Sequence, residues 1–178
     1  VSSWTATLDG SDLDVATTAV DGGFDVEVVG RVLAVRGDWT PGAGVFELET
    51  GEAPAYVAKY DAAGNFLWAF NIGEGGFNPP MEVLHDVAVD GKGDVYLSGH
   101  MDFRADVLPG VAIFEIFASS RVSPLLAKYT SSGQFVMAFA IRSDGDSEGF
   151  GVAADPLGHG RQAVGALGRQ GAGQAQPL

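Results

Sequence analysis

Cysteine is missing altogether from the 178 residues. That excludes a disulfide framework and thiol chemistry, and it leaves the compartment open because an exported protein can also lack cysteine. Basic residues are scarce: 10 Lys and Arg stand against 23 Asp and Glu, a formal charge of −13. Such a surface repels phosphate backbones and anionic lipid, so nucleic acid is not an expected partner. No apolar run approaches the ~20 residues that a membrane-spanning helix needs. Hardly any segment carries a helical period, and no glycine-rich phosphate loop leads into a helix. No initiator Met or basic-then-apolar leader opens the chain, so any targeting signal is expected to be missing or removed. What remains is a globular composition, 46% apolar and 19% charged, with length enough for one domain and a core.

The strongest positive signal is an internal repeat. Residues 55–72 read AYVAKYDAAGNFLWAFNI, and from Pro124 the chain reads PLLAKYTSSGQFVMAFAI. Ala58/Ala127, Lys59/Lys128, Tyr60/Tyr129, Gly64/Gly133, Phe66/Phe135 and Phe70/Phe139 share one offset (127 − 58 = 69). Each copy is an alternating apolar run, a turn and a second run, the pattern of a β-hairpin. An earlier hairpin repeats at the same offset: VATTAVDGGFDVEVVG from Val15 aligns with LHDVAVDGKGDVYLSG from Leu84. The connections, PGAGVFEL from Pro41 and PGVAIFEI from Pro109, match one residue out of step (109 − 41 = 68).

One unit is therefore four antiparallel strands in sequence order, the meander that forms a propeller blade. Asp21, Asp61 and Asp90 open the tight turns as Asx acceptors, with Thr130 in the same place in one copy. Gly64, Gly93 and Gly133 close them at the left-handed position of a type I turn with a bulge. In residues 66–72 and 135–141 both strand parities are largely apolar, as in a sheet covered on two faces. A β-sandwich strand is the competing reading, and the 69-residue unit argues against it.

The fold expected is all-β: consecutive four-stranded antiparallel meanders, blades of an incomplete, open β-propeller. Residues 1–8 read as the last strand of a preceding blade, 13–72 as the first repeat and 82–141 as the second. A third copy starts at 149–158, with Ala153, Ala154, Asp155 and Pro156 in the places of Ala88, Val89, Asp90 and Gly91. The remainder, 159–178, has no acidic residue, no aromatic and no sustained alternation, and reads as a disordered low-complexity tail.

The hairpin AVDGKGDVYLSG, the connection opening MDF and the stretch YVAKYDAAGNFLWA resemble the bacterial β-propeller repeats known as SBBP repeats. The resemblance covers about residues 13–158. It implies an exported or cell-surface chain with many repeats and no assigned catalytic residues. Fewer than three units cannot close a ring, which takes roughly four to eight blades. A second, partial resemblance is to the blade motif of pyrroloquinoline-quinone dehydrogenases, in which a Trp packs between blades. Ala58, Gly64 and Trp68 fall at its spacing, Asp61 sits one place late, and Thr130 and Met137 replace Asp and Trp in the second copy.

Candidate chemistry is sparse. Asp144, Asp146 and Glu148 place oxygen donors at positions 1, 3 and 5 before Gly149, like the front of a Ca²⁺ loop, with Asp155 at the twelfth place. No helices flank it, and a solvated acidic connection is the favoured reading of the two. His85, His100 and His159 share no ligand spacing, although Asp86 and Asp102 lie beside the first two as hydrogen-bond partners. Ser119, Ser120, Ser131 and Ser132 lack a nucleophile-elbow context. Trp4 and Trp68 belong to strands, and Trp39 lies in a connection.

Together these features lead to a non-enzymatic module with a binding or scaffold role, taking a protein or carbohydrate ligand, with no cofactor unless Ca²⁺. The alternatives are a propeller enzyme of quinoprotein type, whose site would draw on further blades, and a Ca²⁺-stabilised adhesion propeller. An open arc would leave apolar blade faces and strand edges uncovered, so self-association is expected.

Overall fold

The computed structural model describes residues 13–20, 26–32, 36–38, 47–49, 55–73, 83–108, 112–142, 144–155, 157 and 159–166. Every regular element among them is a β-strand. None of the described residues forms a helix long and apolar enough to cross a membrane. Strands β1 (Leu13–Val20), β2 (Val26–Val32), β5 (Ala55–Tyr60) and β6 (Phe66–Ile72) form one antiparallel sheet in that order. Between β2 and β5 lies a short pair, β3 (Arg36–Asp38) and β4 (Glu47–Glu49). The second sheet runs β7 (Val83–Val89), β8 (Val95–Asp106), β9 (Glu115–Tyr129), β10 (Phe135–Ala140), again a meander.

The sequence repeat is a repeat of register. Val20 pairs with Val26 and Val89 with Val95; Val26 pairs with Tyr60 and Val95 with Tyr129; Tyr60 pairs with Phe66 and Tyr129 with Phe135. All are 69 residues apart. The first hairpin of each sheet skips one residue at the same place, Ala16 in one and His85 in the other, and the last hairpins skip Leu67 and Val136. The offset of 68 in the connection holds too. Arg36↔Glu49, Gly37↔Leu48 and Asp38↔Glu47 in the first unit become Arg104↔Phe117, Ala105↔Ile116 and Asp106↔Glu115 in the second.

Turn chemistry fixes these registers. Asp61 Oδ1 accepts hydrogen bonds from the Ala63 and Asn65 amides, and Asp90 Oδ1 from those of Lys92 and Asp94. Thr130 Oγ1 accepts from Gln134 N in the third such turn, a weaker version of the same device. Gly64, Gly93 and Gly133 adopt φ of 85°, 78° and 78°, the left-handed region that closes each loop. Asp21 lies outside the described residues.

Both faces are covered on the inner strands, whereas the outer strands β6 and β10, apolar in both parities, leave Leu67, Val136, Met137 and Phe139 exposed. All of β5 is buried, as are Val95–Met101 of β8 and Val122–Ala127 of β9. Ala55, Val57, Phe70 and Ile72 of the first sheet pack with Val95, Leu97, Leu125, Ala127 and Tyr129 of the second. Alternate residues of the same strands, Tyr96 and Leu126, point the other way and meet Val152. At about 1.5–3 kcal/mol for each large apolar side chain removed from water, sandwiching a sheet between two neighbours is its main source of stability.

The neighbour carrying Val152 is a third hairpin, β11 (Ser147–Ala154) with β12 (Gly160–Ala166). The strand β12 corrects the expectation that a structureless tail begins at residue 159. Ala154 pairs with Gly160 as Val89 pairs with Val95, and the hairpin skips Phe150 where the second sheet skips His85. Its side-chain pattern is weak because backbone pairing with β11 carries the strand. Residues 1–8 and 167–178 lie outside the described residues. The first strands of the three units sit side by side, β1 against β7 and β7 against β11.

Candidate functional site

Three features of the repeat prove to be internal fastenings. Lys128, on β9, sends Nζ to Asp94 Oδ2 at 2.9 Å and Asp90 Oδ2 at 3.3 Å, and lies 4.7 Å from the centre of the Tyr96 ring. Burial works against its charge, yet hydrogen bonds with Tyr96, Asp94 and Asp90 hold its pKa above the ordinary lysine value. Trp68, at the edge of the first sheet, donates Nε1–H to the Ser131 carbonyl (3.1 Å) and lies against Gly133 of the second. Its ring stacks on Phe70, which meets Tyr129 at 4.6 Å between centroids. The Ser120 hydroxyl donates to the Val122 carbonyl, and Ser123 Oγ accepts from Ser119 N, so these serines shape a turn within β9.

The acidic run divides once folded. Asp144 is exposed. Asp146 Oδ1 accepts from the Val122 amide at 3.1 Å. Glu148 is carried into β11, and there its carboxylate faces imidazoles instead of the other two acids. His85 Nε2 lies 3.0 Å from His100 Nδ1, and Glu148 Oε1 lies 3.9 Å from that same His100 nitrogen. One donor atom from each of the three falls within 4.8 Å of the others, and among the described residues this is the sole cluster of its kind.

Each member is held by its strand. His100 occupies the β8 position opposite Val83, is 5% exposed, and cannot turn to solvent. His85 is the skipped residue of the β7–β8 hairpin, and a bulge re-aims the side chain it carries. Its ring packs on Phe150, the skipped residue of β11, at 5.7 Å. Asp86, next along β7, binds β11 directly: Oδ2 accepts from the Val152 amide at 2.9 Å while Oδ1 accepts from Val87. The expected His85–Asp86 pair is thus replaced by two separate tasks. Two imidazoles and a carboxylate form a donor set for a borderline transition metal, whereas Ca²⁺ takes oxygen ligands.

Nearby, Asp102 has one buried carboxylate oxygen with no hydrogen-bond partner. Burial pushes its pKa above the usual carboxylate range; Arg121 opposes the shift and Asp146 adds to it. His159 instead bonds Asp155 through Nδ1 at 2.9 Å, closing the third turn. Trp4 and Trp39 lie outside the described residues.

No protein-family model matches the chain, and no curated protein is significantly similar to it.

Proposed function

We propose that the chain is a run of blades from a multi-repeat β-propeller of the SBBP type, serving an exported or cell-surface protein as a binding or scaffold module. The observation that carries this reading is an asymmetry between repeat-equivalent residues. Phe70 is 7% exposed because the second sheet covers it, whereas Phe139, 69 positions later, is 43% exposed. Phe139 pairs with Leu126 across β9 and β10, on the face that meets Val152 of the third hairpin. That hairpin covers the inner strands of the face, and the outer strand with Met137 and Phe139 stays open. A further hairpin stacked there would repeat the contact that Trp68 and Phe70 make with the second sheet. The same uncovered face supports self-association of the chain by itself.

The cysteine-free sequence makes the stacking testable. Phe139→Cys should react quickly with a thiol reagent, and a copy of residues 115–141, the second hairpin of a unit, appended downstream should slow it at least tenfold; unchanged reactivity refutes the stacking. For the role, saturable binding to immobilised glycans or peptides without turnover is expected. Turnover of a sugar, alcohol or peptide, with or without pyrroloquinoline quinone, would establish the enzyme instead.

A further inference from the structure

We propose that His85, His100 and Glu148 form a binding site for a divalent transition-metal ion of the zinc class, which ties the third hairpin to the second sheet. This inference does not depend on the binding role proposed above.

Spacing is the first support. With metal–nitrogen bonds of about 2.0–2.1 Å in a tetrahedral site, two donor atoms sit about 3.3 Å apart. His85 Nε2 and His100 Nδ1, at 3.0 Å, need only separate slightly. Glu148 Oε1, 3.9 Å from His100 Nδ1 and within 4.8 Å of the His85 donor, must close by about 0.5–1.5 Å, a shift within reach of a glutamate rotamer.

Proton chemistry is the second support. Two imidazole nitrogens at hydrogen-bond distance share one proton, for if both carried a proton the two N–H groups would oppose each other. A metal ion accepts a lone pair from each facing nitrogen, so the ring that carries its hydrogen there binds as the other tautomer, with its N–H on the outer nitrogen. Two neutral imidazoles and one carboxylate then leave a net charge of +1 on a divalent ion, with a fourth position for water.

Topology is the third support. His85 and His100 come from adjacent strands of the second sheet and Glu148 from β11, so a single ion joins two units that already share packing and the Asp86–Val152 bond. The site is also partly shielded. His100 is buried, the Glu148 side chain is 19% exposed, and Phe150 lies against His85. Imidazole donors select zinc-class metals over Ca²⁺ and Mg²⁺, which favour oxygen.

The test titrates the chain with Co²⁺ and with Zn²⁺. One equivalent of Co²⁺ should give the visible absorption bands of a four-coordinate ion, Zn²⁺ should displace it, and Zn²⁺ should raise the melting temperature while Ca²⁺ does not. His85→Phe keeps the ring packing and should weaken Zn²⁺ binding by about 100-fold or more; Glu148→Gln should weaken it at least tenfold. His159→Ala, at the third turn, should leave it unchanged. A chain that binds no Co²⁺, or whose binding survives both His85→Phe and Glu148→Gln, overturns the proposal. If His85→Phe fails to fold, Glu148→Gln alone decides it, because Glu148 is half-buried at the rim.

Discussion

Replacing Lys128 with Met isolates the electrostatic fastening of the second sheet. Methionine keeps the aliphatic stem against its neighbours and removes only the ammonium group. The Asp90 side chain is fully buried and that of Lys128 is 13% exposed. Removing one partner of a buried pair costs about 3–5 kcal/mol, because the other charge is left uncompensated. Here Asp90 keeps the Lys92 and Asp94 amides and a long contact from the Tyr96 hydroxyl, so the lower end applies. The lost ammonium–ring contact with Tyr96 adds about 0.5–1 kcal/mol. A total of about 3.5–4 kcal/mol follows, readable as a shift of the urea midpoint at pH 7. Adding Asp90→Asn to Lys128→Met should recover about 1–2 kcal/mol relative to the sum of the single losses.

The pH profile supplies a second reading of the same fastening. Burial pushes the Asp90 carboxyl up, but the Lys92 and Asp94 amides and Lys128 outweigh it, so its folded pKa is lowered. Its contribution is present above the unfolded value of about 3.9 and fades as pH falls through the lowered one. Lys128 is raised, so its contribution is full below about 10.4 and fades as pH rises through the raised value. Lys128→Met should shrink the alkaline arm of the profile, the remainder belonging to Tyr129, whose burial raises its pKa. A loss under about 1 kcal/mol with that arm intact would refute the account.

Gly133→Ala should cost about 1–2 kcal/mol, since φ is +78° and the added carbon would stand 3.1 Å from the Trp68 ring; Gly145→Ala, with open space around it, should stay within about 0.5 kcal/mol by the same denaturation assay. Asp102→Asn should raise the melting temperature at pH 7. The folded pKa of Asp102 is raised, so its ionised form costs stability above about pH 4, and the variant's advantage should vanish below that value.

Much of the fold was legible because the repeat preserved the residues that make register. The Asp or Thr at each turn opening and the Gly at its close set which residues face each other, and the paired positions then follow two by two along the strands. Lys59/Lys128 and Asp25/Asp94 could be read as repeated but not as fastenings, because the ammonium of Lys128 reaches Asp94 across two strands that are far apart in sequence. The strand β12 was harder to see. In the first two units the glycine of one cross-strand pair lies on the second strand, as Val15↔Gly30 and Leu84↔Gly99. In the third the pair is Gly149↔Val164, with the glycine moved to the first strand. At Gly99 an added carbon would stand 2.0 Å from the Val83 carbonyl, so the second unit has no room for a side chain there. The DVYLSG pattern of the second unit, with its glycine on the second strand, therefore has no counterpart in the sequence of β12.

The His85, His100 and Glu148 cluster was hidden by a change of offset. Asp155 stands where Asp90 stands, so the third hairpin lies 65 positions after the second (155 − 90 = 65), four fewer than the 69 between the first two. Read locally, Asp144, Asp146 and Glu148 alternate like a cation loop. Shifted by 65, Glu148 falls on Val83, and Val83 is the residue paired with His100. The first-strand position that carries Val83 in one unit thus carries a carboxylate in the next, beside the imidazole of its neighbour. His85 follows from the same shift: it and Phe150 are the skipped residues of adjacent hairpins, and their rings pack together. Spacing along the chain does not encode this meeting, since three donors on three strands share no period. Stacked repeats encode it by bringing equivalent strand ends side by side, so a search for sites in such an array should compare positions one unit apart.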